Sequence, residues 1–505
     1  MRCALLLFSL AFGANALRPP VDTPRAVNIT ITPVVTHGII SGLSGEYILH
    51  YATEANETLV DIPLTLASSA TAGYNTSTLT AKDHHGKLKL LTSEGTDADG
   101  QPTRYFRTTR ATKGPVTVRF TAEPVTDFPA RVGPLFDLRQ QGQNNGGGII
   151  GSMWAFLPGT ASRTLEYEFS LRWDLKRAPR GTTAAWTWGE GSGPFYRSGT
   201  RDDILYTYFV VGRLNRYPKP SPLPASAPPK SDFGMYWIED PPFNTTELGT
   251  FIDEFFNVST TFWQDETNQP YRVFIRRNAE YGGGGTALTR SFTFGWNPAN
   301  ATDQESLRLL ISHEMTHNWA QMPGASALIS RWAEGMAEFY SLRLLWRSGL
   351  LSTALYLQEM NSRLASYYGN PYVNATDTEA YDEAWSARDA QRIPYGRGLI
   401  ELANLDAAMR NQSLTLDNLT HDMRQLCVSS ASACTPASWV NVTAGYLGPS
   451  AVTEYNRVTS GKPLLVPVAG SLGPCFDVVR TETQPETWAW QTKSGVNISS
   501  EACVI

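Results

Sequence analysis

From Val27 to about Phe169 apolar and polar residues alternate in short runs, such as Val27-Asn28-Ile29-Thr30-Ile31 and Val116-Thr117-Val118-Arg119-Phe120, separated by clusters of Gly, Asp and Ser. A period of two puts alternate side chains on one buried face, so these runs predict strands of an all-β, sandwich-like domain. Gly142 to Gly151 reads as a loop within it, and no Lys-Ser/Thr follows that would make it a phosphate cradle. Between Ile204 and Phe294 strands mix with one helix, Thr245 to Phe262, and the Pro-rich Pro218 to Pro229 reads as an exposed, extended loop. From Asp303 to about Thr459 the period lengthens to that of helices, expected at Asp303 to Gln321, Ser330 to Ser348, Ser352 to Tyr368, Tyr395 to Asn411 and Leu416 to Cys427. Pro463 to Ile505 returns to strand-like, turn-rich sequence, and no internal repeat is found.

Composition turns this pattern into a class of protein. The chain has 505 residues, 42% of them hydrophobic and 18% charged, with a formal charge of -5, which describes a folded chain with large cores. Such a length argues for more than one domain. A basic stripe for nucleic acid is absent, and no run approaches the ~20 uninterrupted apolar residues of a membrane-spanning helix. The ends suggest export: Arg2, the apolar run Ala4 to Phe12 and Ala14-Asn15-Ala16 make a cleavable leader of residues 1–16, and a secreted, extracellular chain is expected to begin near Leu17. Once Cys3 leaves with that leader, Cys427, Cys434, Cys475 and Cys503 remain, an even set for an oxidising compartment. Proximity favours pairing Cys427 with Cys434 and Cys475 with Cys503, although four cysteines allow three connectivities. Asn-x-Ser/Thr acceptors for glycans occur at Asn28, Asn56, Asn75, Asn244, Asn257, Asn300, Asn374, Asn411, Asn418, Asn441 and Asn497.

The densest chemistry lies in Ser312-His313-Glu314-Met315-Thr316-His317-Asn318-Trp319, which follows a capping pattern and the apolar Leu307, Leu309, Leu310 and Ile311. On a helix, residues four apart share a face, so His313 and His317 offer two imidazoles to one zinc ion. Glu314 is turned about 100° away, placed to reach a water rather than the metal. Catalytic zinc takes a third protein ligand, and Glu334, near the start of the next helix, is the candidate. Glu338, one turn later, is placed to accept the second N–H of a ligand imidazole. Only seven histidines occur, so a chance His-Glu-x-x-His is rare. His84 and His85, the other conspicuous pair, are adjacent and point apart on a turn or strand, which makes them surface residues.

These segments resemble the gluzincin peptidases, in particular the glycyl aminopeptidase family and more distantly the neutral zinc aminopeptidases. The likeness rests on His313 to Trp319, on Trp332-Ala-Glu-Gly-Met-Ala-Glu-Phe-Tyr340, and on Pro394-Tyr395-Gly-Arg-Gly398 followed by Leu405-Asp406-Ala-Ala-Met-Arg410. It covers roughly Ile204 to Thr459. The resemblance implies a multidomain α+β chain. Residues 17–200 would form the β-rich domain, 201–460 a thermolysin-like gluzincin catalytic domain with a mixed sheet and a mainly helical lobe, and 461–505 a disulfide-containing tail. It also implies one Zn2+, a peptide or protein substrate, Glu314 as general base, and Tyr395 as hydrogen-bond donor to the oxyanion.

The family's Gly-Gly-x-Glu-His-type stretch, whose acid helps to hold a substrate's free amino group, corresponds here to Tyr281 to Ser291, which has no carboxylate. Gly283, Gly284 and Gly285 still suit an edge strand that a peptide backbone approaches closely. A carboxyl-terminal PDZ domain, frequent in that family, does not fit in the residues after Thr459. Three expectations follow: a glycyl-aminopeptidase-like enzyme, a zinc endopeptidase of the same fold, or a non-catalytic secreted binding protein.

Overall fold

The computed structural model describes residues 25–97, 100–126, 134–219, 232–278, 284–300, 303–324, 326–384, 386–459, 464–498 and 500–504. The expected leader, Gly283 and most of the Pro-rich segment lie outside these residues.

Alternation produces the strands. In Arg25–Thr36, Val27, Ile29, Ile31 and Pro33 are buried and their neighbours are not. This strand pairs antiparallel with Ile39–Leu49 and parallel with Tyr167–Trp173 inside a seven-stranded sheet. A four-stranded sheet built on Thr58–Pro63 and Pro102–Thr108 shares its core, where Leu59, Ile62 and Phe106 meet Val27, Phe120 and Trp173. A five-stranded sheet completes the β-rich part.

Two expectations change in that third sheet. Gly148–Ser152 is a wholly buried strand rather than loop. Its glycines are there for close packing, since a Cβ on Gly148 would lie 2.6 Å from the Val211 carbonyl oxygen. The strand Tyr208–Gly212 pairs with Gly148–Ser152 and Thr183–Trp186, so strands of the β-rich part continue past the expected boundary at 200.

The second part opens with a mixed sheet in the order Asn215–Tyr217, Phe233–Trp237, Tyr271–Arg277, Ser291–Trp296, Gly284–Leu288. The three central strands are parallel, and Gly284–Leu288 is an antiparallel edge. The helix Thr245–Phe262 has the expected bounds. Asn244 caps it by accepting from the amides of Thr246 and Glu247, and Leu248, Ile252, Phe255 and Phe256 are buried.

The helical lobe follows, with Gln304–Thr316, Ala327–Arg347, Thr353–Tyr368, Ile393–Arg410 and Leu416–Ser429 near their expected places. Four further helices, Asp377–Glu383, Arg388–Gln391, Pro436–Leu447 and Ser450–Thr459, lie between and after them. The tail forms a hairpin, Phe476–Thr483 with Glu486–Thr492, whose Phe476 and Trp490 enter the same core as Leu345, Tyr356 and Met360. The disulfides are Cys427–Cys434 and Cys475–Cys503. All the acceptor asparagines are exposed, as are His84 and His85.

Candidate metal centre

His313 sits on Gln304–Thr316, hereafter the donor helix, and His317 is the residue that ends it, its backbone still in the right-handed helical conformation. Asp303 caps its start by accepting from the Ser306 amide, and Leu307, Ile311 and Met315 anchor its inner face. The helix stops at Thr316, five residues short of the sequence expectation, because Asn318 bonds back to the Met315 carbonyl and competes with further turns. The third donor sits on Ala327–Arg347, the glutamate helix, which starts at Ser326 with its hydroxyl on the Ile329 amide.

Where these helices meet, three donor atoms form a nearly equilateral triangle. His313 Nε2 is 3.2 Å from Glu334 Oε2 and 3.2 Å from His317 Nε2, and His317 Nε2 is 3.3 Å from Glu334 Oε2. A tetrahedral ion with bonds of ~2.0–2.1 Å holds its ligand atoms ~3.3 Å apart, so the triangle has the size of one face of a zinc coordination tetrahedron. Among the described residues this is the cluster of acids, histidines and cysteines suited to a metal. Electrostatics agree with the geometry. Burial by itself would lower the His313 pKa, but Glu334, Glu338 and Glu314 raise it to about 9, so the place favours positive charge. Burial would raise the Glu334 pKa, yet the two imidazoles hold it well below the usual carboxylate range. The residues fit a divalent ion with two imidazoles and a carboxylate.

Glu338 approaches the other side of the same ring, with Oε1 3.5 Å from His313 Nδ1, longer than a closed hydrogen bond. Its second oxygen accepts from Arg363 Nε at 2.9 Å, which fixes the carboxylate beneath the imidazole. Glu314 is pushed above the usual carboxylate range by burial and by Glu334 and Glu338, against the lowering effect of both imidazoles. That is the direction a general base working near neutrality requires. Tyr395, on Ile393–Arg410 (the tyrosine helix), stacks on the His313 ring with centroids 5.4 Å apart and planes 10° from parallel. Burial, then Glu334, Glu314 and Glu338, hold its hydroxyl far above the ordinary phenol range, so it stays a donor.

The glutamate and tyrosine helices are joined by contacts the sequence reading missed. Asp377 accepts from Arg331 on the first at 2.7 Å and from Arg397 on the second at 2.5 Å. Gly335 and Gly398 let the two backbones touch, since a Cβ on Gly398 would lie 2.6 Å from the Gly335 Cα. Arg363 and Asp377 were equally hidden from sequence, although the capping box that opens Asp377–Glu383, Thr376 with Glu379, was a readable sign of that helix.

The edge strand Gly284–Leu288 packs against the donor helix. Gly285 has no room for a side chain because the Phe292 ring covers it, whereas nothing lies within 4 Å of a Cβ on Gly284. Of the expected glycine stretch, then, Gly284 and Gly285 lie on the edge strand that packs against the donor helix, and Gly283 falls outside the described residues. The strand carries no carboxylate.

Solved structures share this fold. An aminopeptidase N family protein from Idiomarina loihiensis aligns with TM-score 0.64 and 15% identity, over 90% of this chain and 79% of that one. An M1 zinc metallopeptidase from Deinococcus radiodurans aligns with TM-score 0.54 and 16% identity, over 88% and 96%. A variant of the latter was solved with a Tyr-Ser-Ala substrate. The chain has the fold of the M1 zinc peptidases. No protein-family model and no curated protein matches the sequence. The likeness does not extend to the narrower resemblance to the glycyl aminopeptidases, nor to a thermolysin-like description of the catalytic part.

Proposed function

We propose that this chain is a secreted, glycosylated zinc peptidase that hydrolyses peptide bonds from the amino end of its substrates. One observation carries the reading: the zinc-sized triangle of His313, His317 and Glu334 adjoins a carboxylate of raised pKa, Glu314, and a protonated phenol, Tyr395. Aminopeptidase action is favoured by the fold neighbours named for it. Export is supported by the leader pattern and by the exposure of every acceptor asparagine.

Zinc, when bound, supplies a Lewis acid that makes water a nucleophile near pH ~7 and polarises the carbonyl. Glu314 takes the proton of the attacking water as the C–O bond forms, then gives it to the leaving amine nitrogen as the C–N bond breaks. Tyr395 donates a hydrogen bond to the oxygen that gains charge. Glu338, braced by Arg363, holds the His313 ring in orientation. The free edge of Gly284–Leu288 takes the substrate backbone as an added strand.

The test is Glu314→Gln, which should keep one zinc per chain and lose about 10²–10⁴-fold in turnover. Loss of zinc together with activity would reassign Glu314 as a ligand. A second reading, a zinc endopeptidase, is favoured by the absence of a carboxylate on the edge strand, where a free α-amino group would want one. Comparing a peptide with its N-acetylated form separates the two, since only an exopeptidase rejects the blocked end.

A further inference from the structure

The two residues that follow the second histidine donor both grip one residue of the turn behind the edge strand. Thr289 and Arg290 form that turn, between Gly284–Leu288 and Ser291–Trp296, and Arg290 holds φ 50°, a left-handed conformation that non-glycine residues rarely adopt. Asn318 Oδ1 accepts from the Arg290 amide at 2.8 Å, while Asn318 Nδ2 donates to the Met315 carbonyl at 2.8 Å. One amide side chain therefore ties the end of the donor helix to the turn. Trp319 grips the same residue at its other end, donating from Nε1 to Asp265 Oδ2 at 2.8 Å, and that oxygen also accepts from the Arg290 guanidinium. The side chain of Asp265 is almost wholly buried, and the Trp319 ring stacks on Trp263 with planes 7° apart, so this anchor is set in the core. The Arg290 carbonyl accepts from the Arg272 amide at 3.0 Å, and the Thr289 amide donates to Tyr206 in the β-rich part at 3.0 Å.

We propose that Asn318 is a positioning residue: by fixing the Arg290 amide to the end of the donor helix, it sets the distance and register between the metal donors and the edge strand that takes the substrate backbone. The sequence order makes this direct, because Asn318 is bonded to His317 and Arg290 is two residues from Leu288, the last residue of the edge strand. Asn318 touches neither donor atoms nor substrate and acts through the strand. An amide suits the place because the clamp needs an acceptor for Arg290 and a donor for Met315 on one short side chain.

The inference rests on the peptidase reading for its kinetic arm and on the structure alone for its other arm. In Asn318→Ala, with zinc still one per chain, KM for a peptide should rise about tenfold with a smaller change in kcat, because strand docking is loosened while the base and donors stay. Asn318→Asp, which keeps the oxygen that accepts from Arg290 but loses the donor to the Met315 carbonyl, should recover only part of that loss. Hydrogen exchange at the Arg290 amide should lose its protection in Asn318→Ala and regain part of it in Asn318→Asp, whatever the substrate. Unchanged KM and unchanged exchange at Arg290 in the folded, zinc-loaded alanine variant would overturn the proposal, as would zinc loss without change at Arg290. A wild-type protein that cleaves no peptide would overturn the peptidase reading, while exchange at Arg290 would still decide the clamp.

Discussion

Replacing Gly398 by alanine tests whether the glutamate and tyrosine helices must touch for the centre to exist. A Cβ on Gly398 would lie 2.5 Å from the Arg331 carbonyl oxygen and 2.6 Å from the Gly335 Cα, about 0.9 Å inside the 3.4 Å where ordinary contact begins. Both obstacles are backbone, so no side chain swings aside and the helices must part. Alanine gains ~1 kcal/mol over glycine in helix propensity. Overpacking costs about 1–3 kcal/mol, and two backbone clashes put this position at the upper end, so overpacking wins by about 2 kcal/mol. The thermal midpoint should fall by about 4–8 °C. Parting the helices also moves Tyr395 away from His313 and Glu334, and a misplacement of about 1 Å costs on the order of 10²-fold in kcat/KM. Gly445 is the control: it is helical with nothing within 4 Å of its Cβ position, so its alanine variant should be slightly more stable than the parent. Thermal unfolding and kcat/KM on zinc-loaded protein give the answer. A Gly398→Ala protein with the parent's midpoint and the parent's kcat/KM refutes the argument.

Glu338→Gln removes the charge beneath His313 while keeping its shape, and zinc affinity should fall about 10–100-fold by competition against a chelator; unchanged affinity would reduce Glu338 to a partner of Arg363. Asp265 gives a pH signature. Burial by itself would raise its pKa, but the Thr267 hydroxyl, the Arg290 guanidinium and the Trp319 indole outweigh this and bring it from 3.8 to about 2. A carboxyl depressed by folding stabilises above its unfolded pKa, so this contribution is complete above about pH 4 and is lost as pH falls through about 2. In Asp265→Asn the midpoint should be lower at neutral pH and the gap to the parent should close between about pH 4 and 2; a gap that stays constant refutes the assignment.

What the sequence made legible was what is local in the chain. His313 and His317 are one helical turn apart, and their shared face follows from the 3.6-residue period alone. Glu334 lies on the next helix, close enough in sequence for spacing and composition to nominate it. The helix Thr245–Phe262 was readable because its cap, period and length agree. The braces are of another kind. Asp377 is 46 residues from Arg331 and 20 from Arg397, and Asp265 is 54 residues from Trp319. Nothing in the local pattern pairs them, since their meeting depends on how helices and loops pack. Gly148–Ser152 misled for the opposite reason: its glycines look like a loop, and only the neighbouring Val211 backbone shows that they clear space for a buried strand.

The charge of the centre explains why these distant braces are needed. Glu314, Glu334 and Glu338 crowd around two imidazoles, and the guanidinium of Arg363, shared with Glu359, offsets only part of their charge. Carboxylates held this close repel one another and lose hydration, so left to themselves they would separate or take up protons. Glu334, Glu338 and Glu314 raise the His313 pKa to about 9 against the effect of burial, so the cluster favours positive charge. A divalent ion brings two positive charges to that place. The separation of these groups is set by a rigid frame. The frame is the Gly335–Gly398 contact, the Asp377 bridge between Arg331 and Arg397, and the Asn318–Arg290 tie. Stability and chemistry thus depend on the same contacts, so loosening any one of them should weaken metal retention or substrate docking before it unfolds the chain.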